Sequence, residues 1–273
     1  VIKLKDILKE DGIVSSGEGE IIRRTLSAPV RDTISYLKNN GGKVLFITTS
    51  TRYPFNTEYN KGGVETELPK STELALFIKE SIPNESYWID IPQLKIYPCE
   101  GNVSHTDGNS CGIMDALLKD KSKNPTGYHR CWASVNDRSD QLWKVSKKLF
   151  ECDTILFFSS IRWGQTNGEY QKLIERLTWL ENRHSTLGEE NVLQGKKAGF
   201  ICIGQNWNGS NVVEVQQNVL DFFGFDTPDN LFWNWQYTNI STDETQESYK
   251  TSHTQFHLDL GIPHIEQEKK IDK

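Results

Sequence analysis

The stretch from Ile155 to Arg176 constrains the fold more than any other part of the chain. Ile155-Leu156-Phe157-Phe158 is a continuous apolar run, as a strand buried on both faces requires. It collapses into Ser159-Ser160-Ile161-Arg162-Trp163-Gly164-Gln165-Thr166-Asn167-Gly168 and then restarts as an amphipathic helix. A buried strand feeding a helix through such a loop is how α/β proteins present backbone N–H groups at the carboxyl end of a strand. A planar or phosphorylated ligand is the natural occupant.

The same alternation runs along the rest of the sequence. Residues 29–38 fit a short helix, with Val30, Ile34 and Leu37 on one face and Asn39-Asn40-Gly41-Gly42 as its stop. Residues 43–48 are a buried strand. A long polar loop leads to a helix beginning at Ser71, with Leu74, Phe77 and Ile78 on its apolar face and Glu73 in its first turn. Residues 87–90 make a second strand. The segment 92–136 is irregular apart from a brief helical stretch at 114–119, and a loop of that length is usually functional. A helix over 139–151 precedes the strand 154–158, and the helix after Gly168 runs to about residue 181. A strand over 197–203, a helix over 211–223 and a short strand over 232–235 complete the order. Alternating strands and helices imply a parallel sheet covered on both faces.

With 273 residues the chain can bury a large core. It divides into an arm and short helix over 1–42, the main domain over 43–240 and an extension over 241–273. The net charge of −6 excludes a broad basic face for nucleic acid. No apolar run reaches the ~20 residues a membrane helix needs, and the opening Val1-Ile2-Lys3-Leu4-Lys5-Asp6 has no apolar signal-peptide core. Five cysteines at irregular spacing suit a reducing compartment, so the expected location is cytoplasmic.

Ligands of such sheets bind beyond the carboxyl ends of the strands. Three strand-end loops carry suitable chemistry. The first, after the strand 43–48, holds Thr49, Ser50, Thr51, Arg52, Asn56 and Thr57, with Ser71 and Thr72 at the next helix start. Hydroxyls, a guanidinium and helix N-terminal N–H groups suit a terminal phosphate. The second holds Ser160, Ile161, Arg162, Trp163 and Gly164. The third is Gly204-Gln205-Asn206-Trp207-Asn208-Gly209-Ser210, whose glycines permit close backbone approach and whose indole offers a stacking face. Each loop alone is a weak signal, and the first by itself reads more readily as a polar turn. Three at the ends of three strands of one sheet make a candidate site.

These residues resemble the flavodoxin-like family of NAD(P)H-dependent FMN reductases and quinone reductases. Ser50, Thr51 and Arg52 match its first loop, and Asn56-Thr57 or Ser71-Thr72 supply the later hydroxyls. Trp163, Gly164, Gly168, Ile174, Glu175 and Arg176 fall in register with its third-strand loop and the following helix. Ser160 and Arg162 depart from that pattern, and residues 58–70 separate the first loop from its helix. The resemblance implies a three-layer α/β/α sandwich with a five-stranded parallel sheet in the order 2-1-3-4-5. It also implies FMN held by its phosphate at the first loop, its ring against 160–164 and 204–209, with NAD(P)H as co-substrate. A small molecule such as a quinone or free flavin is then the electron acceptor, and the protein a homodimer or homotetramer. A flavodoxin-type electron carrier and an iron–sulfur flavoprotein are the alternatives.

The remaining reactive residues give less. Cys99, Cys111 and Cys131 are too widely spaced for a compact cluster and read as free thiols, while Cys152 and Cys202 read as small buried apolar residues. His253 and His257 have a helical i, i+4 spacing but no acidic partner in view, so they read as a surface pair and no metal is expected. No Ser/His/Asp or paired-carboxylate arrangement stands out, and no catalytic side chain is assigned. The aromatic cluster Phe232, Trp233, Trp235 and Tyr237 reads either as an exposed interface patch or as an edge strand under the last helix.

Overall fold

A computed structural model describes residues 13–15, 21–23, 26–51, 68–102, 111, 131–186, 188–205, 207–240 and 245–263. Its centre is a sheet of parallel strands β1 (Val44–Thr48), β2 (Ser86–Asp90), β3 (Thr154–Arg162), β5 (Lys197–Gly204) and β6 (Phe232–Gln236), in the spatial order β2-β1-β3-β5-β6. A two-residue strand β4 (Gln165–Thr166) pairs antiparallel with the far end of β3. The chain steps outward from β1 in both directions, so a crevice opens at the carboxyl ends of β1 and β3. This is the expected order. Ahead of the sheet, Ile13–Ser15 pairs antiparallel with Ile21–Arg23.

Val44 to Ile47 and Ile155 to Phe158 are fully buried, as strands covered on both sides must be. Among the described residues the helices are α1 (Ala28–Asn40), α2 (Lys70–Glu80), α3 (Trp132–Asn136), α4 (Leu142–Glu151), α5 (Gly168–Ser185), α6 (Gly209–Phe222) and α7 (Gln246–Leu260). On one face of the sheet Phe157 and Phe200 pack edge-on against Tyr170 of α5, and Gln236 of β6 accepts from the first amide of α6. On the other face Phe46 stacks with Phe158 at 6.0 Å. There Trp233 donates to Thr33 of α1, and Trp235 packs edge-on against Phe256 of α7. α1 and α7, which the sequence sets outside residues 43–240, therefore cover the same face.

Local chemistry explains the helix bounds. Asn167 caps α5 by accepting from the Tyr170 amide, and Glu169 sits in the favourable first turn. Thr245 and Ser248 close a reciprocal capping box on α7, which ends at Gly261 with φ +68°. The last strand decides between the two readings of the aromatic cluster. Phe232 and Trp235 are buried, and Trp235 Nε1 donates to Asp259 of α7 at 2.8 Å. The aromatic cluster is thus an edge strand seated under the last helix, not an exposed patch. The short helix α3 lies where the sequence read irregular chain, because five residues are too few to show a period. The helical stretch expected at 114–119 lies outside the described residues. Among the described residues no helix is long and apolar enough to cross a membrane.

Candidate functional site

β3 continues past its expected end. Ser160, Ile161 and Arg162 belong to the strand, and Ile161 and Arg162 pair with Thr166 and Gln165. Trp163 (φ +50°) and Gly164 (φ +69°) form the two-residue turn of this hairpin. Two successive positive φ values define the hairpin turn whose twist matches paired strands. The sequence hid this because the strand residues there are small and polar and the turn is not Asn-Gly. Trp163 is a bulky residue in a conformation that favours glycine, and its side chain is 80% exposed.

The third loop leans on this hairpin. Asn208, itself at φ +74°, donates to the Gly164 carbonyl at 2.7 Å. A Cβ on Gly164 would lie 2.5 Å from the Trp207 ring. Trp207 therefore packs on the turn. Gly209 is the first residue of α6, not a loop residue; its amide donates to Gln236, and a Cβ there would strike Gln236, Asn234 and Ile161. Its bareness serves the protein's own packing.

The first loop is fixed by Asn167, a residue the sequence reading passed over as part of the turn. Its side-chain amide donates to both Thr49 Oγ1 and Ser160 Oγ at 3.1 Å. Thr49 Oγ1 in turn donates to the Phe158 carbonyl at 3.1 Å. The buried α5 cap thus joins the ends of β1 and β3. A polar residue placed just before a periodic helix was the available signal.

These elements enclose a cavity of about 390 Å³ lined by Ser50, Pro69, Lys70, Ser71, Ser160, Ile161, Arg162, Trp163, Ile203, Gly204, Gln205 and Tyr249. Of the residues expected to bind, Ser50, Ser71, Ser160, Ile161, Arg162, Trp163, Gly204 and Gln205 meet here. Thr49 and Thr72 are buried behind the wall, and Gly164, Trp207 and Gly209 support it from outside. Thr51 of the first loop is exposed. Arg52, Asn56, Thr57 and Asn206 lie outside the described residues. Part of the cavity wall is the start of α2, whose first amides have no partner within the helix. Ile161 and Ile203 form an apolar part of the wall. Gly204 stays bare because a Cβ would strike Ile161. Gln205 donates to Ser248 at 3.2 Å, which ties this wall to α7, and Tyr249 of α7 completes it. Volume and lining match a small-molecule site with a few convergent polar groups.

No family model and no curated protein sequence matches the chain. Solved structures do. RosB with a bound 8-demethyl-8-formylriboflavin-5'-phosphate intermediate is 15% identical, with 80% of this chain and 73% of that chain covered and a TM-score of 0.50. The chain has the flavodoxin-like fold. Two other flavodoxin-like structures align over most of their length. The FMN-dependent NADH-azoreductase of Bacillus anthracis is 9% identical, covering 79% of this chain and 95% of that chain, with a TM-score of 0.42. An NADH:FMN oxidoreductase in its apo form is 10% identical, covering 82% and 91%, with a TM-score of 0.36. Within this flavodoxin-like fold the cavity lies at the strand ends where the sheet order reverses.

A second polar cluster lies beside the site. Arg176, which matches the family register, is fully buried and does not reach the cavity. It grips Asp140 through two hydrogen bonds of 2.7 and 3.1 Å and also donates to the Tyr97 carbonyl and to Ser134. Burial alone would raise the Asp140 carboxyl; Arg176 and the amides of Tyr97 and Leu142 outweigh it and hold the carboxyl below its usual value. The Cys111 thiol, donating to Cys131, lowers Cys131, and Arg176 adds to the effect; the same contact and burial push Cys111 up. All five cysteines are free thiols.

The two histidines correct the sequence reading. His253 and His257 lie on α7 against α2, not on the open surface. Glu73 of α2, 1% exposed, places Oε2 3.3 Å from His257 Nε2. The acidic partner comes from a helix about 180 residues away, which no local pattern reveals.

Proposed function

We propose that the chain is an FMN-dependent NAD(P)H oxidoreductase that passes hydride from a nicotinamide through flavin to a quinone, a free flavin or another small acceptor. The observation that carries this is a cavity whose lining combines phosphate-type donors with apolar and aromatic surface. Ser50, Ser71 and the first amides of α2 supply donors that suit a phosphate; Arg52, in the same loop as Ser50, is the proposed cation. Ile161, Ile203 and the exposed indole of Trp163 offer apolar and stacking surface for a planar ring. The donor set therefore fits FMN. The RosB structure, which holds a riboflavin-5'-phosphate derivative in a similar fold, supports the same reading.

When bound, FMN supplies the hydride-accepting ring. The chain's own residues position it and keep water away. Asn167 donates to Ser160 Oγ, which leaves the Ser160 hydroxyl hydrogen to point at an acceptor on the ring edge. Ile161 and Ile203 would shield a bound ring, and Trp163, held by the hairpin turn, would cover its open side. The proposal includes the homodimer or homotetramer implied by the resemblance, which light scattering tests directly.

Ser71→Ala separates phosphate binding from ring binding. Loss of a hydrogen bond to a charged group costs ~1.5–3 kcal/mol, so FMN affinity should fall by roughly tenfold or more. Riboflavin, which lacks the phosphate, should bind the variant as it binds the parent. Equal weakening of both ligands places the phosphate elsewhere. NADH and NADPH oxidation by the loaded protein, with a quinone as acceptor, then distinguishes a reductase from an electron carrier.

A further inference from the structure

The Glu73–His253–His257 cluster lies outside the flavin cavity and does work of another kind. His257 Nδ1 is 3.3 Å from the Ile262 carbonyl. A carbonyl only accepts, so Nδ1 carries the ring hydrogen and a neutral His257 turns a lone pair at Nε2 toward Glu73. That Nε2 lies 3.3 Å from Glu73 Oε2, close enough for one cation to meet both atoms. The His253 ring meets the His257 ring edge-on at 4.8 Å, which brings a second imidazole to the same point. One ligand atom from each of the three side chains lies within 4.8 Å of the others. A divalent cation serves both imidazoles and the carboxylate together.

We propose that Glu73, His253 and His257 form a zinc site that clamps α7 onto α2. Two imidazole nitrogens and one carboxylate oxygen are a ligand set that Zn²⁺ accepts, with one position left for water. The carbonyl-bound Nδ1 of His257 is the supporting contact that fixes the ring for metal ligation. Ligand atoms around a tetrahedral ion sit ~3.3 Å apart, so closure asks only for small side-chain rotations, chiefly of the partly buried His253. Tyr249 stands one turn before His253 on the face of α7 that lines the cavity, and Ser71 lies beside Glu73 at the start of α2. The ion thus fixes two walls of the cavity against each other, whether or not that cavity holds flavin.

The test uses the full chain, stripped with a chelator, desalted and titrated with zinc chloride. Bound zinc is counted by elemental analysis after a second desalting, and the thermal midpoint is read with and without zinc. The parent should retain one equivalent and melt higher when loaded. His253→Gln and Glu73→Gln should each weaken zinc by more than the ~10–100-fold that loss of a supporting partner costs, and Cys131→Ser should retain the same equivalent of zinc. A parent that retains no zinc overturns the site and leaves an imidazolium–carboxylate pair. Retention by either ligand variant, or loss in Cys131→Ser, overturns it too and moves the ion to the cysteines or elsewhere. Should Glu73→Gln fail to fold, His253→Gln, altered at a partly exposed position, decides alone.

Discussion

Trp163 shows how far a single residue can be read in advance. Its place beside a glycine at the end of a buried strand was visible, but its positive φ and 80% exposure were not, because both come from the hairpin closed by Gln165 and Thr166. The conformation separates stability from binding. Asn tolerates positive φ and, before glycine, suits this turn. Trp163→Asn should therefore raise stability by about 1 kcal/mol through relief of that strain. It should weaken FMN by the ~0.5–1.5 kcal/mol of a lost aromatic contact. Thermal melting and flavin fluorescence quenching measure the two; a variant that loses stability and keeps its flavin removes Trp163 from the site. Gly209 carries the opposite lesson. Its bareness suggested a ligand, while the structure gives it to Gln236 and Asn234.

At the scale of elements, strands and helices with a strong period were legible to within a few residues. Connections whose order depends on distant partners were not. The Arg176–Asp140 pair is such a partner: it holds Tyr97 at one end of the long segment after β2 and Ser134 of α3 at the other. Removing one member leaves the other buried and uncompensated, so Arg176→Leu should cost ~3–5 kcal/mol. The pH dependence follows from the depressed Asp140 carboxyl. A carboxyl lower in the folded than in the unfolded state contributes its stability above the unfolded value of ~3.9. That contribution is lost as pH falls through the folded value. Urea unfolding of parent and Asp140→Asn between neutral pH and pH 3 should converge toward the acid end. Curves that stay parallel would show that the pair does not titrate with folding.

At the scale of the whole molecule, the order of strands and the position of the crevice followed from the alternation of buried strands and amphipathic helices. The role of the ends did not, because α1 and α7 meet each other and β6 across nearly the full length of the chain. Trp235 is the keystone there. Trp235→Ala should cost ~3–5 kcal/mol as a core truncation and leave the mass by light scattering unchanged at temperatures where it folds. A shift in mass without loss of stability would return the aromatic strand to an interface. The same corner has a consequence for how the chain can be connected. The Ser27 amide donates to the Leu260 carbonyl at 3.3 Å, so the entrance of the first helix and the exit of the last are neighbours. A gene rearranged to begin at residue 245, with a short linker from residue 263 to residue 26, would have the ribosome deliver α7 first instead of last. That circular permutant should reach the same sheet, with α7 already synthesised when the last strand it packs against emerges.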